Sequence, residues 1–303
     1  MSAISAIGFI GLGVMGEPMC RNLARKSGRP VIGFDRVSAP LERLAEAGVR
    51  AASGVAELAR QCGVVFMAVP SGAHVEEVCS GSDGLLAGVA AGTIVVDLGT
   101  SPVDLTRELA ARFAAAGARY ADAPIARTRQ AAEDGTLSIM VGADAETFAG
   151  LKPLLLTMAT DVTLCGGIGA GQMVKILNNM VLVETVVALS EAIAIARHAG
   201  LDGRTLFETL MKGSADSFAL RNHGMKAILP GVFPERAFST DYARKDLSYA
   251  LALADQVGVT AHGAETADRL LRRAAESGHG QLYWPVVSRL IDGQENAQGP
   301  AAT

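Results

Sequence analysis

The segment "GAGQMVKILNNM" carries Lys175, followed three and four positions later by Asn178 and Asn179. On a helix that spacing sets both amides on the face of the lysine. Polar groups at the start of an otherwise apolar helix need partners or a task. The lysine can snorkel to water while the amides bond nearby backbone, or the three can serve as a proton shuttle. A lysine desolvated in a cleft loses basicity and can exchange a proton with a substrate hydroxyl. An amide on the same face would hold that hydroxyl in line.

A second group lies in "AIGFIGLGVMGEPMCRNLARK", where Gly11, Gly13 and Gly16 form a G-x-G-x-x-G pattern through Leu12, Val14 and Met15. It follows an apolar run and opens a helical one. Glycines there permit a tight turn and close approach of a pyrophosphate, whose charge the helix N-terminus favours. The next apolar run, "PVIGFD", ends in Asp35, where a ribose-binding acid is expected. A carboxylate at that point favours NAD. The adjacent Arg36 points the other way, since a guanidinium can pair with the 2′-phosphate of NADP.

Elements must position these groups. Short apolar runs ("AIGFIGLG", "GVVFMAVP", "TIVVDLGT", "LSIMVGA") alternate with helical stretches through the first half of the 303 residues, which predicts a doubly wound parallel sheet covered on both faces, an α/β Rossmann architecture. Near "CGGIGAG" the alternation stops and the pattern becomes helical. The expected organisation is a dinucleotide-binding domain over 1–165, a helical substrate and oligomerisation domain over 166–292, and a disordered tail over 293–303. A net charge of −4 leaves no basic footprint for nucleic acid. The four cysteines lack C-x-x-C spacing and the five histidines form no ligand pair, so no metal site is expected. The run "MVKILNNMVLVETVVALSEAIAIARHAG" is long enough to span a bilayer, but Lys175, Glu184 and Glu191 are costly in lipid, and the expectation is a cytoplasmic protein.

Taken together, "FIGLGVMGEPMCRNL", "DGTLSIMVGA", "GAGQMVKILNNM" and "ARKDLSYAL" resemble the successive signatures of the β-hydroxyacid dehydrogenases, the group of 3-hydroxyisobutyrate dehydrogenase and tartronate semialdehyde reductase. The resemblance implies a dimer or tetramer and reversible oxidation of a small 3-hydroxy acid to its semialdehyde. It also implies Lys175 as the catalytic lysine, an orienting amide within Asn178 and Asn179, and Lys245, followed by Asp246, near substrate and cofactor. Phe238 matches a pocket aromatic. Val69, Pro70 and Ser71 match a cofactor loop, and Thr100 matches another, although Gly99 stands where a serine is usual.

The chain departs from that family after "DAPI". Where Ser-Gly-Gly is usual, it has Ala126, Arg127 and Thr128, similar to the Gly-Arg-Thr of sulfolactaldehyde reductases. A guanidinium presents several donors in a plane, suited to carboxylate or sulfonate. Arg127 is therefore expected to face a substrate anion, with Thr128 adding a hydroxyl, and Arg129 to be solvated. The competing readings are a sulfolactaldehyde reductase-like enzyme and a non-catalytic dinucleotide-binding scaffold or redox sensor.

Overall fold

The computed structural model describes residues 6–235 and 237–293, so the expected tail over 293–303 lies, after its first residue, outside the described residues. The chain divides into two compact units, one ending at Lys175 and the other beginning at Ile176.

The first unit holds strands β1 (Ile7–Ile10), β2 (Val31–Phe34), β3 (Val49–Ala51), β4 (Val64–Met67), β5 (Ile94–Asp97), β6 (Arg119–Asp122), β7 (Ile125–Ala126), β8 (Leu137–Gly142) and β9 (Ala159–Gly166). Between them run α1 (Gly16–Lys26), α2 (Ser38–Ala45), α3 (Val55–Gln61), α4 (Gly72–Ser80), α5 (Leu85–Gly88), α6 (Val103–Ala115), α7 (Arg129–Asp134) and α8 (Ala145–Leu155). The strand order is β3-β2-β1-β4-β5-β6-β8-β7, with β9 on β8. From β3 to β6 every pairing is parallel. The central strands β1, β4 and β5 are buried throughout because both faces carry apolar side chains. Phe9, Phe66 and Val96 pack on one face, and Ile10, Val65, Met67 and Val95 on the other.

The expected doubly wound parallel sheet is observed, its pairings parallel from β3 to β6. Beyond it β8 runs antiparallel to both β6 and β7. The reason is local: β6 and β7 follow one another in the same direction across Ala123 and Pro124, and the ten residues 127–136 between β7 and β8 are too few for a parallel crossover.

Helix α9 (Ala170–His198) crosses from the first unit into the second. By length and composition it could span a bilayer, and half of that stretch is buried. The second unit continues with α10 (Gly203–Leu210), a π-helical segment Leu220–Ile228, α11 (Thr240–Gln256), α12 (His262–Ala274) and the short α13 (Val287–Ile291). Their apolar faces close around Val186, Phe207, Leu247, Leu271 and Trp284.

The π-helical segment sets His223 against Trp284 and, through Nδ1 at 2.5 Å, the Tyr283 hydroxyl. Burial pushes its imidazole down from 6.5 to about 4, with Lys226 adding to the effect. Between those two values the unfolded chain takes up a proton that the folded chain refuses. Stability therefore falls as pH drops through that window, by about 3 kcal/mol in total. His223→Gln should flatten the acid slope of the melting temperature, and a slope parallel to wild type would disprove the assignment.

Candidate active site

In the Gly-rich loop, Gly11 has φ +84°, and a Cβ there would sit 2.4 Å from the Ala68 carbonyl oxygen. At Gly16 a Cβ would fall 1.9 Å from the Gly11 carbonyl oxygen. Both positions need glycine for close backbone approach. Gly13 differs: nothing lies within 4 Å of its missing Cβ, which leaves a cradle at the tip of the loop, ahead of the 11-residue helix α1. Asp35 ends β2 and ties it to the loop, Oδ2 accepting from the Leu12 N–H at 2.6 Å and Oδ1 from the Val37 N–H at 2.9 Å. Each oxygen keeps a lone pair for a ribose hydroxyl. This donor and acceptor set fits a dinucleotide. Arg36 is turned to Glu77 of α4, which pairs its guanidinium.

Val69 and Pro70 follow β4, and Ser71 stands at the N-cap position of α4 without a side-chain capping bond, its hydroxyl 2.7 Å from His74 Nδ1. Thr100 is buried at the end of β5. A depression of about 300 Å³ beside the loop is lined by Leu12, Gly13, Val14, Arg43 and Arg129. Arg129 is exposed and pairs with Glu133, as a solvated helix arginine should.

Two fully buried acids at neighbouring strand ends anchor the start of α9. Asp122, closing β6, accepts from the Gly169 N–H at 2.7 Å and the Gln172 N–H at 2.8 Å. Burial raises its carboxyl above the usual carboxylate range, and the two N–H donors partly restrain that rise. Asp97, closing β5, accepts from the Ser101 hydroxyl at 2.7 Å and the Gln172 side chain at 3.3 Å. Gln172 also accepts from the Ser101 N–H at 3.0 Å and donates to the Gly99 carbonyl at 2.9 Å. Every polar atom of the Gln172 amide is occupied. Lys175 lies three residues further along this anchored turn.

One turn beyond Lys175, Asn179 is buried and donates from Nδ2 to Asp246 Oδ2 at 2.6 Å. A carboxylate only accepts, so this contact fixes which way the amide points. Asn178 is exposed and donates to Asn179 Oδ1 at 3.1 Å. Asp246 is thus turned to the amide, with the Lys245 ammonium 2.9 Å from its Oδ1. That approach is an ion pair without a directed hydrogen bond. The Lys245 ammonium also sits 4.1 Å from the Tyr242 ring centroid, a cation–π contact that holds it. Phe238 is half-buried against Tyr242, with ring centroids 5.3 Å apart.

Arg127 and Thr128 both have partners within the protein. Arg127 donates to the Thr136 carbonyl at 2.5 Å, Thr160 Oγ1 at 2.8 Å and Asp161 Oδ2 at 2.6 Å, so its charge is already paired within the protein. The Thr128 hydroxyl accepts from the Ala131 N–H at 3.3 Å and caps α7. Ala126, the last residue of β7, pairs with Ser138 of β8. Sequence reasoning passed over Asp97, Asp122, Gln172 and Asp161. The first two carried a signal, since each ends an apolar strand at the carboxyl edge where α/β proteins place their sites.

Residues 6–167 match the NAD-binding domain of 6-phosphogluconate dehydrogenase, and residues 169–283 match the NAD-binding domain of NADP-dependent 3-hydroxyisobutyrate dehydrogenase. Fold and site therefore define an NAD(P)-dependent oxidoreductase. The chain is 35% identical over 299 residues to 3-hydroxyisobutyrate dehydrogenase of Pseudomonas aeruginosa, covering 95% of this chain and 99% of the relative. It is 35% identical over 288 residues to 2-hydroxy-3-oxopropionate reductase of Escherichia coli, covering 94% and 97%. The solved structure of Mycobacterium tuberculosis 3-hydroxyisobutyrate dehydrogenase with L-serine superposes with a TM-score of 0.84 at 30% identity, covering 95% of this chain and 99% of that one. The chain belongs to the β-hydroxyacid dehydrogenase family, enzymes that act on the CH–OH group of small hydroxy acids.

Proposed function

We propose that the protein interconverts a three- or four-carbon 3-hydroxy acid and its semialdehyde, with NAD as the preferred cofactor and Lys175 as general acid and base. The observation that carries this is the buried Asn179 amide, fixed by Asp246 one helical turn from Lys175. A fixed amide beside a lysine can orient a hydroxyl, because one Nδ2 hydrogen and one Oδ1 lone pair remain beyond the bonds to Asp246 and Asn178. In the oxidising direction Lys175 Nζ takes the hydroxyl proton, and in the reducing direction it returns one to the forming alkoxide oxygen. When bound, the nicotinamide supplies or accepts the hydride.

Gly11 to Gly16, with the Val69–Ser71 loop and Thr100, would hold the dinucleotide. Asp35 supports NAD over NADP because its carboxylate repels a 2′-phosphate, and Glu77 pairs the Arg36 guanidinium that would otherwise attract one. A carboxylate substrate is favoured over a sulfonate because Asp161 already neutralises Arg127. Phe238 and Lys245 complete the substrate set. The exposed apolar residues Val174, Leu177, Val181 and Ile195 along α9 support a homodimer or homotetramer. The test is a panel of 3-hydroxy acids, matched hydroxysulfonates and semialdehydes with both cofactors, followed by nicotinamide absorbance. Turnover of 3-hydroxy acids with NAD is expected; tight NAD binding without turnover of any member would favour a scaffold.

A further inference from the structure

Lys245 and Asp246 are neighbours on α11, and neighbouring side chains on a helix point about 100° apart and do not face each other. Their ion pair, 2.9 Å from Nζ to Oδ1, therefore requires the lysine to bend round the helix. It is no surface pair: the lysine side chain is 20% exposed and that of the aspartate 2%. What receives the bent side chain is aromatic. Tyr242, three residues before Lys245, has its ring centroid 4.1 Å from the ammonium, and Tyr249, four residues after it, 5.3 Å. Both lie within the range of a cation–π attraction, and those two spacings flank the lysine on its own face. Two of the chain's four tyrosines are thus placed around one ammonium. The Phe238 ring, 5.3 Å from that of Tyr242, backs the nearer one.

Asp246 carries the effect onward. Its Oδ1 is buried and accepts no hydrogen bond, and the ammonium is the cation set against it. Its Oδ2 takes the Asn179 amide at 2.6 Å. One carboxylate is shared between ammonium and amide. An ammonium released to water would leave a buried charge without its partner, and the carboxylate would turn to another donor or take up a proton. Either change frees the amide, since a protonated carboxyl donates as well as accepts. We infer that Tyr242 is a positioning residue, seconded by Tyr249: its ring clamps the Lys245 ammonium onto Asp246 and, through that carboxylate, fixes the direction of the Asn179 amide. This rests on the role given above to that amide.

Tyr242→Leu keeps an apolar side chain and removes the ring face. In the full chain with NAD, it should lower kcat about tenfold for the 3-hydroxy acid that wild type turns over fastest, as a modest misplacement does, with NADH binding within about twofold. Tyr242→Phe keeps the face and should stay within about threefold of wild-type kcat. Tyr249→Leu, the more distant ring, should cost less than Tyr242→Leu. A phenylalanine variant as slow as the leucine one, or a leucine variant as fast as wild type, would overturn the proposal. The clamp also has a spectroscopic signature, because protons over a ring face resonate upfield. The chain has six lysines, so isotope labelling at lysine Cε gives a simple spectrum in which Lys245→Arg assigns the signal. That signal should lie upfield in wild type and Tyr242→Phe and move downfield in Tyr242→Leu; an unmoved signal refutes the clamp. A wild type that turns over no hydroxy acid sinks the functional reading instead, and the lysine signal still decides the clamp.

Discussion

Replacing Lys175 by alanine should lower kcat about a thousandfold, since a general acid–base group typically contributes about a hundredfold to ten-thousandfold. Binding of NADH should change by less than about twofold, because the phosphate loop and Asp35 belong to other elements of the chain. Lys175→Arg separates charge from proton transfer. A guanidinium keeps the positive charge but does not give up its proton at neutral pH, so this variant should be nearly as inactive as alanine. Retention of a tenth of wild-type kcat by Lys175→Arg would mean that the residue acts as a fixed charge. Titrating NADH fluorescence in parallel with turnover separates a lost proton shuttle from a lost cofactor site.

The parts of this site that sequence made legible are those whose physics is local. A glycine loop between a strand and a helix, an acid at the next strand end, and a lysine and amide one turn apart each read out within a few residues. Strand β3 was illegible for the same reason: in Val49–Ala51 only the valine is buried, so no apolar run marks it. The antiparallel turn into β7 and β8 was hidden because periodicity reports burial and not direction. Partners distant in sequence were equally invisible. Nothing within "IARTRQ" announces Asp161, 34 positions away, yet that carboxylate decides where the guanidinium points. Lys245 shows the opposite case. An exposed helix lysine is the ordinary expectation, but Asp246 and the ring of Tyr242 hold this ammonium largely out of water.

The stability of the site rests on the same long-range partners, and Asp122→Ala tests this. The substitution leaves the N–H groups of Gly169 and Gln172 without their acceptor in a fully buried place, at a cost of about 4 kcal/mol for the pair. In a chain of this size that corresponds to a fall in melting temperature of about 6 °C. Asp122→Asn should fall between, because its oxygen can still serve one N–H while its amide turns a donor toward the other. Function should suffer beyond stability. Loosening the first turn of α9 shifts Lys175, three residues on, and an ångström of misplacement costs up to about a hundredfold in rate. Well below its melting point, the alanine variant should therefore show a reduced kcat with nearly unchanged NADH binding. Gln172→Ala, which frees Asp97, Ser101 and Gly99, should have a similar effect, and the double variant should cost less than the sum because both act on one turn. If Asp122→Ala melts with wild type, the N-terminus of α9 is held by the glutamine alone. The strand-end carboxylate would then have no part in placing the lysine.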